Sequence, residues 1–370
     1  MRRSLLIILL ILVAAAAVAA QTPRPSPTPK PDDQEPVRVF TEEIRLPVAA
    51  KDSFGHYDPT LSIEDVLVLE DGEQQQVRSV QHLPTNVLLL LDLGNQLGLK
   101  DTNLTRQVAT GVVAALYPGN KIAIMQFASQ PELLQPWTTD REAIAKVLKT
   151  KLKSGKSSRL SDALVAAAAQ FKDIPPGTRH IVIITDGVEG PGARVSMATA
   201  MKQLNSVQAS VHILSYTVLE RQALQTQTKV RSGGDGVQRD GNPGSNPVAN
   251  GDPTMPPGST RTPSFKIGSI DLDSAMRRKR KEYERATRDS ETKLAEIADE
   301  SGGQIFLPAS TSEVVEQATI VARDIGSQYV VTYRPTHPLA DAKAGEYRKV
   351  EVASRRVGLY LRSRRGYVVP

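Results

Sequence analysis

Hydrophobic positions along this chain fall into two regimes. From residue 37 to 82 they recur at short, partly alternating intervals: Val37, Val39, Ile44, Leu46 and Val48, then Val66-Leu67-Val68-Leu69, then Val77 to Val80. That spacing predicts extended strands, and Asp71-Gly72 between two of them is a strong hairpin signal. From 86 to about 217 short apolar runs alternate with stripes at helical spacing. Val87 to Leu91, Ile122 to Met125, Ile181 to Ile184 and Val211 to Leu214 read as strands. Leu104, Val108, Val112 and Ala115 mark one helix; Ile144, Val147 and Leu148 mark a second. Leu160, Leu164, Ala167 and Phe171 mark a third, and 194–204 reads as a fourth. This order predicts a mainly parallel sheet with helices on both faces.

The pattern lapses between 225 and 268, where Gly233-Gly234-Asp235-Gly236, Asn242-Pro243-Gly244 and Pro256-Pro257-Gly258 lie among few large apolar residues. A disordered insertion is expected there. A charged helix over about 272–300 follows, with a thin stripe of Leu272, Met276, Tyr283, Leu294 and Ile297, ended by Gly302-Gly303. Gln304 to Leu307 reads as a short strand, and Val314, Ala318, Val321 and Ile325 form a last stripe. Tyr329 to Tyr333, Tyr347 to Val352 and Gly358 to Leu361 return to β character. The expected organisation is therefore an α/β domain, 85–326, inserted in a β-sandwich built from flanks 37–84 and 327–370.

The N-terminus reads as an export signal over 1–20: basic Arg2-Arg3, an apolar stretch from Leu5 to Val13, and small residues at 17–20 for cleavage. The apolar core is short for a membrane span, so a signal anchor is the lesser alternative. A Pro-rich, polar spacer occupies 21–36. The whole chain carries +6, and loss of Arg2 and Arg3 would leave +4. That balance is too mild to imply nucleic acid. The chain has no cysteine, which excludes disulfides, thiolate metal sites, Cys nucleophiles and lipid attachment through an N-terminal Cys.

Two of the apolar strands end in acids: Leu91 runs into Asp92, and Thr185 into Asp186-Gly187. Ligands of open α/β sheets sit beyond the carboxyl ends of the strands, so two acids at that end mark a candidate site. The alternative is that each caps the turn that follows it.

Asp92 after its strand, Ser157-Ser158-Arg159-Leu160-Ser161-Asp162-Ala163-Leu164, and Ile183-Ile184-Thr185-Asp186-Gly187 together resemble the three loops of a von Willebrand factor type A domain. The flanks resemble the VWFA-related Acidobacterial family, through Ile63-Glu64-Asp65 to Leu69-Glu70-Asp71-Gly72, Ser327 to Tyr333, and Arg364-Arg365-Gly366-Tyr367. The resemblance implies a Rossmann-like fold with a metal-ion-dependent adhesion site at the strand ends. Such a site is expected to have Asp-x-Ser-x-Ser, a Thr in the second loop and an Asp in the third. Asp92 and Asp186 match the acids, and Ser158 keeps the hydroxyl of the second loop. Gly94 and Gln96 stand where the two Ser ligands should be, and Gly94 has no side chain to offer. A hard cation wants oxygen ligands in near-octahedral array. Asp92, Ser158 and Asp186 could hold Mg²⁺, or Mn²⁺ or Ca²⁺, only weakly. A degenerate site, with both acids bonding loop N–H groups, stays open. The binding face would include Asn95, Gln96 and Gly187.

The implied activity is binding rather than catalysis: an exported protein holding a protein ligand, or an assembly component in contact with the cell envelope. Other constellations argue less. Gly155-Lys156-Ser157 resembles the end of a P-loop, but Thr150 stands where the first Gly should be. An aspartate-nucleophile hydrolase needs a second carboxylate two residues after Asp92, where Gly94 stands. His180 and His212 fall at the strand ends opposite Asp92 and Asp186, and all five histidines read as surface or packing residues. Arg277-Arg278-Lys279-Arg280-Lys281 is followed by Glu282 and Glu284 and reads as a solvated helix face. Asn103-Leu104-Thr105 fits a glycosylation sequon but begins a helix.

Overall fold

The computed structural model describes residues 43–95, 101–172, 174, 178–223 and 268–369, with the side chains of the helix that begins at 268 described from Arg277 onward. The export signal, the spacer, strand positions Val37 and Val39, Gln96 and nearly all of the 225–268 insertion lie outside these residues.

The α/β block is built on β4 (Thr85–Asp92), whose eight residues are all buried. It pairs in parallel with β5 (Lys121–Phe127) on one side and β7 (Thr178–Thr185) on the other. β8 (Ser210–Ser215) and the short β9 (Ile305–Phe306) extend the parallel run beyond β7. β6 (Pro131–Thr138) closes the far edge antiparallel to β5, giving the order β6-β5-β4-β7-β8-β9. Alternate residues of β4 face opposite cores. Val87, Leu89 and Leu91 pack with α1 (Thr102–Ala115), α2 (Arg141–Thr150) and α6 (Thr311–Gly326). Leu88 and Leu90 pack with α3 (Leu160–Ala169), α4 (Met197–Ser206) and α5 (Gly268–Glu300). Each such aliphatic side chain contributes about 1.5–3 kcal/mol on burial, which is why an unbroken apolar run settles at the centre of the sheet. Among the described residues no helix is long and apolar enough to cross a membrane.

The flanks pair with each other, and the α/β block is inserted between them. β1 (Ile44–Asp52), β2 (Val66–Glu70) and β3 (Glu73–Gln81) come from the first flank. β10 (Tyr329–Arg334), β11 (Tyr347–Ser354), β12 (Leu359–Arg362) and β13 (Gly366–Val368) come from the second. They form one curled antiparallel sheet in the order β12-β1-β10-β3-β2-β11-β13. Its core gathers Leu46, Val48, Val68, Val331, Tyr333, Val350 and Tyr367 from both flanks. The Asp71-Gly72 turn joins β2 and β3 with φ of 51° and 86°, as the hairpin signal requires. Buried Glu70 accepts from Tyr333 Oη at 2.5 Å, Arg348 Nη1 at 2.9 Å and Tyr367 Oη at 3.1 Å. One carboxylate thus ties β2, β10, β11 and β13, and it gives the Tyr333 and Tyr367 motifs a structural role.

The seam between sheet and α/β block is polar. Asp324 of α6 is fully buried; it accepts from Tyr57 Oη at 2.9 Å and Arg362 Nη2 at 2.6 Å, and Lys51 Nζ lies 3.3 Å away. Gln328 also donates to it, at 3.3 Å. From the α/β side His212 Nδ1 stands 3.5 Å from the carboxylate, and His212 Nε2 meets His180 Nδ1 at 3.3 Å. The two histidines were expected to be ordinary surface or packing residues; they are stacked, wholly buried and part of this polar cluster. Nothing in periodicity could pair them with an acid on a helix more than a hundred residues later.

Burial outweighs the neighbouring Asp324 and holds the His212 imidazole down at about 4, and burial with His212 beside it holds His180 well below its usual range. Asp324 resists the pull of burial because His212, Arg362 and Lys51 hold its carboxyl below the ordinary value. In the native protein both rings stay neutral where the unfolded chain binds protons. Stability is therefore lost as pH falls from 6.5 toward 4. From about pH 6.5 to about pH 5, where carboxylates are still ionised, the urea-unfolding free energy should fall by between about 1 and 2 kcal/mol through His212. H212Q should flatten that slope. Equal slopes in both proteins would refute the assignment.

Candidate functional site

β4 and β7 lie side by side and end together, which brings the Asp92 carboxylate to the Thr185-Asp186 step. Asp92 is 0% exposed, so its charge has to be met by protein donors. Oδ1 accepts from Gly94 N–H at 3.0 Å and from Ser158 Oγ at 2.9 Å. Oδ2 accepts from Thr185 Oγ1 at 2.6 Å, and that hydroxyl in turn accepts from Gly187 N–H at 2.8 Å. Asp92 thus gathers all three loops expected from the sequence. Thr185 was not singled out there, although its place between the strand and Asp186 was the available signal.

Asp186 is 3% exposed and turns the other way. Its Oδ1 accepts from Val188 N–H at 3.0 Å, an Asx turn. Its Oδ2 accepts from Tyr283 Oη at 2.5 Å, and its backbone carbonyl from Ser290 Oγ at 2.7 Å. Tyr283 Oη also stands 2.8 Å from Glu220 Oε2, on the helical stretch 217–223. Burial, Asp186 and Glu220 together push the Tyr283 phenol far above its ordinary value, so it stays a neutral donor. Both partners of Asp186 on α5 were missed by sequence reasoning, which read Tyr283 as one member of a thin apolar stripe.

Gly94 explains how the loops close. The backbones of loops one and two are stitched together: Asn95 N donates to Gly155 O and Gly155 N to Leu93 O, each at 2.8 Å. A Cβ at Gly94 would lie 2.3 Å from the Ser157 carbonyl oxygen. Glycine is thus a condition of this approach, not a ligand that happens to be missing. Asn95 sits on the rim with its amide spent on the stitch; Gln96 lies outside the described residues.

The donor set does not fit a divalent cation. Both Asp92 oxygens already accept hydroxyl or amide protons, both Asp186 oxygens accept from Val188 N–H and Tyr283 Oη, and the backbone of loop two occupies the space a serine at 94 would need. A six-oxygen shell cannot assemble around that arrangement without dismantling it. Among the described residues no three His, Asp or Glu side chains converge as a metal cage.

Against known proteins, the family model of the von Willebrand factor type A domain matches residues 87–189. No curated protein matches the chain. Among solved structures, a von Willebrand factor type A protein from Catenulispora acidiphila is 9% identical, covering 90% of this chain and 75% of its own, with a TM-score of 0.41. An aerotolerance-related membrane protein from Bacteroides fragilis is 18% identical, covering 65% and 98%, with a TM-score of 0.38. The conserved hypothetical protein BatB from Bacteroides thetaiotaomicron is 22% identical, covering 35% of this chain and 66% of its own, with a TM-score of 0.31.

The Gly94 geometry makes a direct prediction. G94S, which restores a serine at the first ligand position, should destabilise the protein by about 1–3 kcal/mol, as overpacking does, and confer no binding of Mg²⁺ or Mn²⁺. Calorimetry at millimolar ion together with urea unfolding checks both parts. A G94S protein of native stability that binds either ion would sink this account of the loop.

Proposed function

We propose that the von Willebrand factor type A domain carried at residues 87–189 makes this chain an exported, non-enzymatic protein-interaction module, whose binding face is the rim of the strand-end loops and needs no metal. The observation that carries the reading is the Asp92 tie: one buried carboxylate bonds Gly94, Ser158 and Thr185 and so sets the three loops relative to each other. A site whose acids are turned inward offers a shaped rim, not a charged pocket. Asn95 and the exposed Glu189 stand on that rim, and Glu189 is itself anchored by Ser161 N–H at 3.1 Å and Ser161 Oγ at 3.0 Å. Catalysis finds no support: Asp92 and Ser158 are buried and bonded to each other, Asp186 is buried against Tyr283 and Ser290 of α5, and the buried histidines lie at the opposite end of β7 and β8. Export is supported by the basic and apolar N-terminal pattern.

The test uses photo-cross-linking amino acids placed singly at Asn95, at Glu189 and, on the β flank, at the fully exposed Val357. Cross-linking in the native cell, with mass spectrometry of the products, should give a shared partner from positions 95 and 189 and not from 357. Partners captured only from 357 would overturn the rim and favour an envelope assembly component that contacts through its β flanks. Calorimetric titration of the wild type with millimolar Mg²⁺, Mn²⁺ and Ca²⁺ should show no heat, and a saturable signal would overturn the metal-free part.

A further inference from the structure

A cleft of about 410 Å³ opens on the loop-three side of the rim that the proposed function assigns to a partner, between the start of α3, Gly187 to Glu189, the start of α4, and α5. Its floor is made by the buried Leu160, Val188, Leu294 and Ile297, with Met197 beside them. The two buried hydroxyls among them have already given their protons: Ser161 Oγ to Glu189 at 3.0 Å, and Ser290 Oγ to the Asp186 carbonyl at 2.7 Å. Such a floor favours apolar atoms. The far wall stands without a ligand. α5 is held by Leu294 and Ile297 in the core, by Tyr283 and Ser290 on Asp186, and by Glu291, which accepts from Thr217 Oγ1 at 2.5 Å and Arg221 Nη1 at 2.6 Å. A cleft already formed in the free protein costs little ordering when it is filled.

Charge is confined to the mouth, where Glu189, Asp289 and Lys293 are exposed. Glu189 is met by Ser161, whose N–H donates to Oε2 at 3.1 Å and whose Oγ donates to Oε1 at 3.0 Å; no cation among the described residues pairs with it. Partial burial, with Asp162 and Asp92 adding to it, raises its carboxyl above the ordinary value in spite of those two bonds. Asp289 adds a second carboxylate, and Lys293, one turn further along α5, a single ammonium. Both Glu189 oxygens are thus fixed from behind and short of positive charge. A guanidinium fork matches that arrangement better than an ammonium does, because it can meet both oxygens at once.

We infer that this cleft is the specificity pocket of the rim, taking a partner segment whose apolar side chain lies on the floor while a neighbouring arginine reaches Glu189. The inference rests on the reading of the rim as the binding face, and adds what the partner has to present there.

The test titrates the purified protein, isotope-labelled at its methionine methyls, with acetyl-leucyl-arginine amide. The Met197 methyl signal, assigned with M197L, should shift saturably at millimolar peptide. Acetyl-leucyl-citrulline amide keeps the shape without the charge and should bind about fivefold or more weakly; so should acetyl-glycyl-arginine amide, which brings nothing to the floor. E189Q should bring the arginine and citrulline peptides within about twofold of each other. In the wild type, raising salt about tenfold should weaken the arginine peptide and leave the citrulline peptide unchanged. A Met197 signal unmoved by the arginine peptide would overturn the pocket. Equal affinities for the arginine and citrulline peptides in the wild type, or tighter binding of acetyl-leucyl-glutamate amide, would overturn the arginine. No partner protein takes part, so an empty cleft leaves the rim to the cross-linkers at 95 and 189. A cleft that selects arginine while those positions capture nothing would overturn the rim and not the preference of the cleft.

Discussion

A carboxylate that reaches no water must be answered by cations and hydrogen-bond donors from whatever packs against it, and Asp324 is answered from both halves of the molecule. Lys51 and Arg362 come from the curled sheet and Tyr57 from the loop after β1, and His212 with His180 behind it from the parallel sheet. Removing one partner of such a group leaves a buried charge unpaired, which costs far more than the pair contributes when intact. The two sheets are therefore not free to slide. Asp324 also stands five residues before β10, the strand that re-enters the curled sheet between β1 and β3. The chain leaves that sheet through β3 and returns beside it, so the α/β block hangs from two neighbouring strands, and the Asp324 cluster fixes its pose.

That rigidity is what gives the opposite end of β4 its meaning. With the N-terminal ends of β7 and β8 held through His180 and His212, the carboxyl ends of β4 and β7 become a fixed platform for loops. Asp92 then organises those loops through one buried charge, as Glu70 organises four strands of the curled sheet and Asp324 the seam. The same device appears three times. A lone acid, paid for in desolvation, selects one arrangement of the segments around it, because each alternative leaves it without donors.

Elements set by burial were legible in the sequence, and elements set by long-range polar contact were not. The Leu-rich run of β4, the Ile-rich run of β7 and the Asp71-Gly72 turn carry their structure in adjacent residues. β6 was missed because Pro131–Thr138 is an edge strand with one buried position, Leu134, so its apolar signal is thin. At the candidate site the sequence located the platform: Asp92, Ser158 and Asp186 do stand on three neighbouring loops. Asp92 and Ser158 share a hydrogen bond, whereas Asp186 faces α5. That division turns on Tyr283, ninety-seven residues away in the chain, and no local pattern marks a tyrosine as the partner of a distant acid.

Gly94 shows how a departure from a motif can be read two ways, and why geometry has to decide. As a missing ligand it would leave a weakened metal site, open and short of oxygens. As a contact it does the reverse: by lacking a Cβ it lets loop two close onto loop one, with the Ser157 carbonyl oxygen only 2.3 Å from where a Cβ would stand. Once the backbones are stitched, Ser158 and Thr185 are left to donate to Asp92, and the charge a cation would have neutralised is met by protons already in the protein. A cation would have to surrender its own water in exchange for two acids, one of which is already held by Tyr283. The absence of a side chain at 94 and the closing of the loops are therefore one feature seen from two sides. The face it leaves is one whose two acids are already held by donors of the protein itself.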